Sequence, residues 1–204
     1  MLAWIFVIIG AVLIDQTTKI LVMNFLDRNE PVVIINGVFR FTYVENAGAA
    51  FGMFDNSRWI FMVISILGIV GLFVYLWKFR PESKLACTAL SLIIGGGIGN
   101  MIDRLFYKGT LPSTAGYNVV IDFLDFYAFP DVWPWVFNVA DSFVCVGAGI
   151  LMVWCVVSII DEAKKEKQKK LAAETNGEAQ QETDALESKA ENETAQINEP
   201  EQKE

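Results

Sequence analysis

The sequence predicts an all-α membrane protein: four transmembrane helices, with a small β-containing extramembrane segment on the outer face. Three observations predict it. Four apolar runs are each long enough to cross a hydrocarbon layer, for which about 20 helical residues suffice. Lysines and arginines gather beside two of the connections. The first connection on the opposite side carries β-branched and aromatic residues around a turn signal.

The elements follow in order. Residues 2–14 are wholly apolar, and the pattern resumes over 20–25 after Asp15 and Lys19. A cleaved leader fits poorly here, because there is no basic start and Asp15 and Lys19 stand where small residues should mark a cleavage site. Residues 59–77 form a second run with Ser65 as its polar interruption, 85–102 a glycine-rich third, and 135–160 a fourth broken by Asn138, Asp141 and two serines. The link between the second and third runs holds Lys78, Arg80 and Lys84, and the fourth runs into Lys164, Lys165, Lys167, Lys169 and Lys170. Both clusters mark the cytoplasmic side, so both termini are expected there, and the long links 26–58 and 103–134 face outward. Within the first of these, two strands are expected around Asn36-Gly37, within a β-like segment at about 30–55.

Charge divides the chain. Residues 171–204 hold ten acidic residues and two lysines, which equals the whole chain's net −8, so residues 1–170 balance to zero. The expected organisation is a four-helix transmembrane peptidase domain over 1–162 and a charged cytoplasmic tail over 163–204, disordered or weakly helical. Histidine is absent, which excludes Ser-His and Cys-His catalysis and the commonest metal ligand. Cys87, Cys145 and Cys155 lie in apolar runs without metal or redox spacing and read as small buried apolar residues.

Charge at membrane depth is costly, so it suggests function. Asp15 and Lys19, four apart, share a helix face and can pair as a structural ion pair or serve a site. Asn100, Asp103 and Arg104 share a face after Gly95-Gly-Gly-Ile-Gly99. Asn138 and Asp141 lie three apart; with a helix starting near Trp135, Asp141 would sit about 9 Å in. Asp122 and Asp125 fall in an apolar, aromatic stretch, and Glu45-Asn-Ala-Gly-Ala-Ala-Phe51 reads alone as a loop. All of these land on the outer half. Their stock is carboxylates, amides and two cations, and two carboxylates sharing a proton can hydrolyse an amide.

At these residues the sequence resembles the lipoprotein signal peptidase, or signal peptidase II, family over residues 1–160. The resemblance rests on five ordered segments: Asp15-Gln-Thr-Thr-Lys19, Glu45-Asn-Ala-Gly-Ala-Ala-Phe51, Gly99-Asn-Met-Ile-Asp-Arg104, Val120-Ile-Asp-Phe123 and Phe137-Asn-Val-Ala-Asp141. It implies a bacterial inner-membrane aspartic endopeptidase with its active site near the periplasmic face. Its substrates would be diacylglyceryl-modified prolipoproteins, cut just before the lipidated cysteine. Asp122 and Asp141 would be the catalytic dyad. Asn46, Asn100, Arg104 and Asn138 would position substrate and support the dyad, Asp15 and Lys19 would stabilise the outer rim, and Asp103 would serve structure. The implied partners are the lipidated substrates and membrane lipids, with no nucleic acid, no cofactor and no metal; one chain would hold the whole site, as a monomer. The loop 105–117 is longer than the family leads one to expect, and the tail lies outside the resemblance. Two readings compete: a polytopic transporter using buried aspartates as a proton relay, and a structural membrane subunit docking through its acidic tail.

Overall fold

The computed structural model describes residues 2–48 and 58–197, with side chains to Lys169 apart from those of Arg58 and Phe61. The end of the Glu45–Phe51 motif therefore lies outside the described residues. The elements run α1 (Leu2–Phe25), β1 (Val32–Ile35), β2 (Phe39–Asn46), α2 (Arg58–Phe79), α3 (Lys84–Phe106), β3 (Val120–Phe126), β4 (Val136–Phe137) and α4 (Val139–Ile197). All four helices contain a segment long and apolar enough to span a membrane. Leu13, Ile64, Leu67 and Met152 are among many large apolar side chains left exposed on them, as a lipid solvent permits and water does not.

The chain divides into two units, 1–154 and 155–204. In the first, α3 is the central helix: 56% of its apolar span is buried, against 6% for α2. Its glycines make that possible. A Cβ on Gly99 would stand 2.5 Å from Asp15 Oδ2, and one on Gly96 would collide with the Ala140 carbonyl. Small residues thus bring α1 and the start of α4 against α3. Ile8, Leu76, Cys87, Leu90 and Ile94 form the apolar core. Cys87 is buried as expected, whereas Cys145 and Cys155 are exposed on the apolar α4; a lipid-facing helix has no need to bury its small residues. Ser83 caps α3, its hydroxyl accepting from Ala86 N at 3.3 Å. In the second unit, helix continues through residue 197, across the segment whose composition left a choice between disorder and weak helix. If the chain has the peptidase activity that the resemblance implies, truncation after Lys170 is expected to leave it within a few-fold in purified protein; complete loss in a folded variant would show that the tail takes part.

The sheet draws on both long links. Its order is β1-β2-β3-β4, antiparallel throughout. The expected first hairpin is present, with Gly37 at φ 74° in its turn, a left-handed conformation open to glycine. β3 adds to it from a stretch that sequence patterning left unassigned, and β4 from the start of the fourth apolar run. One expectation is corrected. The fourth helix begins at Val139, not near Trp135, because Val136 and Phe137 pair with Asp125 and Leu124. Asp141 consequently lies in the first helical turn, not about 9 Å in.

Candidate active site

Strand alternation separates the two aspartates of β3. Successive side chains point to opposite faces, so Asp122 and Asp125, three apart, face opposite ways. Asp125 is held on the sheet by Arg40 Nε at 2.6 Å and by the Thr42 hydroxyl at 2.9 Å. Asp122 is 2% exposed and accepts from Asn46 Nδ2 at 2.9 Å and Asn138 Nδ2 at 2.7 Å.

Asp141 reaches the same place from α4. Asn138 is the residue before the helix, and Asp141 is its third. Asn138 Oδ1 accepts from Asp141 N at 3.0 Å, and Asp141 Oδ2 accepts from Asn138 N at 3.2 Å. This reciprocal capping box, with Asn and Asp in place of the usual Ser and Glu, fixes the Asp141 carboxylate at the positive end of the helix. The same Asn138 amide nitrogen that reaches Asp122 also donates to Asn100 Oδ1 at 2.9 Å. Asn100 Nδ2 in turn donates to Asp141 Oδ1 at 2.7 Å. Asn100 and Asn138 thus brace the two carboxylates from below, and each amide's orientation is dictated by its partners.

Beneath them lies a buried ion cluster. Lys19 has three ammonium protons and three acceptors: Asp15 Oδ2 at 2.9 Å, Asp103 Oδ2 at 2.8 Å and Asn100 Oδ1 at 2.9 Å. Lys19, Asp15 and Asp103 are each 0% exposed. Asp15 Oδ1 also accepts from Ala140 N at 2.9 Å, so a residue of α1 completes the N-terminal cap of α4. Gln16 Nε2 adds bonds to Asp103 Oδ1 at 2.9 Å and the Gly99 carbonyl at 3.1 Å. These bonds compensate the desolvation of three charges, which would otherwise cost several kcal/mol each.

Burial, with the nearby Asp141 charge, pushes Asp122 up to about 7; hydrogen bonds from Asn46 and Asn138 and the Lys19 charge act the other way without prevailing. Arg104, half-buried near the end of α3, acts electrostatically on Asp141, Asp122 and Asp103. A carboxyl that retains its proton near neutrality, beside a second carboxylate, is equipped for paired acid and base work.

Residues 7–157 match the family model described as signal peptidase (SPase) II. The chain belongs to the signal peptidase II family. It is 39% identical over 158 residues to a lipoprotein signal peptidase of Halalkalibacterium halodurans, covering 78% of this chain and 92% of the relative. A lipoprotein signal peptidase of Halothermothrix orenii is 41% identical over 148 residues, covering 72% and 91%. A solved bacterial membrane enzyme has the same fold, with a TM-score of 0.66 at 24% identity over 78% of this chain and 90% of that one. The chain is therefore a transmembrane hydrolase of a peptidase family.

All of the residues singled out from the signal peptidase II motifs converge at one end of the helices. Asp122, Asp141, Asn46, Asn100 and Asn138 join in one network. Asp15 and Lys19 are at its buried base, not on a rim. Sequence reading missed Gln16 and Glu45. Glu45 accepts from the backbone of Thr110 and Leu111 and from the Thr110, Thr114 and Tyr43 hydroxyls. Burial pushes its carboxyl up, yet the donors of Thr110, Thr114 and Leu111 overcome that and hold it at about 2. Its available signal was the Glu preceding Asn46; apart from Tyr43, its partners sit 65 to 69 residues away.

Proposed function

We propose that the protein is an aspartic endopeptidase that removes the signal peptide from diacylglyceryl-modified prolipoproteins, cutting before the lipidated cysteine. One observation carries the catalytic part: a single residue, Asn138, bonds both Asp122 and Asp141 from the end of the helix that presents one of them. The ionised carboxylate takes a proton from water, whose oxygen attacks the scissile carbonyl carbon. The protonated carboxyl, assigned to Asp122, gives its proton to the carbonyl oxygen. Collapse breaks the C–N bond, and the departing nitrogen takes a proton from the dyad. The products are a carboxylic acid on the signal peptide and a free amine on the lipidated cysteine. Arg104, Asn46 and Asn100 support the dyad and the unwound substrate backbone, which needs polar partners at membrane depth.

The names of the relatives support the substrate class. The basic clusters at the α2–α3 junction and in α4 beyond its apolar part support cytoplasmic termini, with the sheet and dyad at the outer face of the inner membrane. One chain supplies every group of the network, which supports a functional monomer. Membership in a peptidase family weighs against the proton-relay transporter. The deciding experiment presents purified protein in detergent with a precursor in lipidated and unlipidated forms. The lipidated form is expected to be cut and the unlipidated form scarcely or not at all; equal cleavage of the two would make this a different peptidase.

A further inference from the structure

The loop between α3 and β3 is closed on itself. Gly109 N donates to the Tyr117 carbonyl at 2.9 Å, Val119 N to Tyr107 at 3.0 Å, and Lys108 bridges to Asn118. From its tip, Leu111 packs against the cluster of Tyr43, Val119 and Ile121, alongside Val22 and Met23 of α1 and Leu26 just after it. The polar half of this attachment is a single carboxylate. Glu45 Oε2 accepts from Thr110 N at 2.8 Å, Leu111 N at 3.0 Å and the Thr114 hydroxyl, while Oε1 accepts from the Thr110 hydroxyl at 2.6 Å and Tyr43 OH at 3.1 Å. The Arg28 guanidinium lies over the Tyr43 ring, 5.3 Å from its centre.

This clamp has a direct mechanical relation to the dyad. Glu45 and Asn46 are neighbours on β2, so their side chains leave the strand on opposite faces. Glu45 faces the loop, and Asn46 faces Asp122, whose Oδ2 it reaches at 2.9 Å. Two residues beyond, Gly48 N donates to Asn46 Oδ1 at 3.1 Å, which sets which end of the amide points at the carboxyl. Asn46 is the last residue of β2, where strand pairing alone constrains it least. A carboxylate with five converging donors, one residue before it, constrains it from the other face.

We propose that Glu45 is a positioning residue for the reaction: by fastening the 107–117 loop onto β2 it holds the end of that strand in place, and so aims the Asn46 amide at Asp122. The inference rests on the dyad reading. The groups facing Asp122 are Asn46 from β2, Asn138 and Asp141 from the start of α4, Lys19 from α1 and Arg104 from α3. Of these, Asn46 alone is adjacent to the clamp. Loosening Glu45 therefore weakens one bond that favours the ionised form of Asp122 and leaves the other groups where they are.

The test measures kcat, KM and the kcat–pH profile on a lipidated precursor for the parent, Glu45→Gln and Thr114→Val, with Asp122→Asn alongside. Gln keeps the size of Glu but sets an NH2 group against donors. Glu45→Gln is expected to lower kcat roughly ten- to a hundredfold, the scale of a small misplacement, with KM little changed. The limb of the profile governed by Asp122 should move to higher pH. Thr114→Val, which removes one donor, should do the same to a smaller extent. A folded Glu45→Gln with parental kcat and an unmoved limb overturns the proposal, even if its melting temperature falls, since a merely structural staple would behave so. If Glu45→Gln yields no folded protein, Thr114→Val decides on the same two readouts. An active Asp122→Asn would overturn the dyad itself and with it the clamp, whereas an inactive Asp122→Asn beside an unaffected Glu45→Gln rejects the clamp alone.

Discussion

Replacement of Asp122 or Asp141 by asparagine is expected to lower turnover by about 10²–10⁴-fold, the range of a lost general acid or base. Asparagine matches aspartate in volume but neither accepts a proton from water nor donates one as an acid. Removing both carboxyls should cost scarcely more than removing one, because groups acting as a unit are non-additive. Asp125→Asn is the control. Its side chain is on the other face of β3, tied to Arg40 and Thr42, so its loss should weaken the sheet and leave most activity. The rate–pH profile should be bell-shaped, with two apparent values that belong to the pair. Stability supplies an independent check. The Asp122 carboxyl stands raised from 3.8 to about 7 in the folded protein. Between those values the folded state binds more protons than the unfolded state, so the parent loses stability as pH rises through that window. The melting temperature of Asp122→Asn relative to the parent should therefore increase from about pH 4 to about pH 7 and level off above. An active Asp122→Asn with an inactive Asp125→Asn would mean the wrong carboxylate has been chosen; activity in all three single variants would remove the aspartic mechanism.

The second large effect is structural. Lys19→Met should destabilise the protein by about 3–5 kcal/mol, the range for breaking a buried ion pair by removing one partner. The substitution leaves Asp15 and Asp103, both fully buried, without the ammonium that joins them. It also takes a donor from Asn100, which holds Asp141. Thermal unfolding in detergent measures the loss, and residual activity at low temperature should fall with it. Neutralising the two carboxylates as well, in the triple variant Asp15→Asn, Lys19→Met, Asp103→Asn, should restore part of the stability, because the uncompensated charge and not the missing contact is the main cost. A Lys19→Met protein with parental melting temperature would mean the cluster is hydrated.

Most of the residues chosen from the sequence were selected by one physical rule, whereas Asn46 came from the signal peptidase II motifs alone. A charged or amide side chain in an apolar span needs a reason; Asp15, Lys19, Asn100, Asn138 and Asp141 each break such a span, and Asp103 directly follows one. Glu45 obeys no such rule. It stands at the end of a strand, where a carboxylate is ordinary, and all its partners but Tyr43 come from a loop that only folding brings near.

The sequence by itself determined the number and order of the apolar helices, the hairpin around Gly37 and the family, since run length, turn chemistry and motif order are local properties of the chain. It also determined which polar residues had to find partners. The tertiary structure decided who those partners are. β3 was unrecognisable as a strand because Val120 to Phe123 are buried on both faces, which erases the alternation that marks a half-exposed strand. The start of α4 depended on β4 pairing with β3, a contact across a turn and not a preference of residues 135–138. The placing of Asp15 and Lys19 at the buried base followed from glycines of α3 admitting α1 to close contact. Small side chains signal that an approach is possible; packing alone decides which helix makes it.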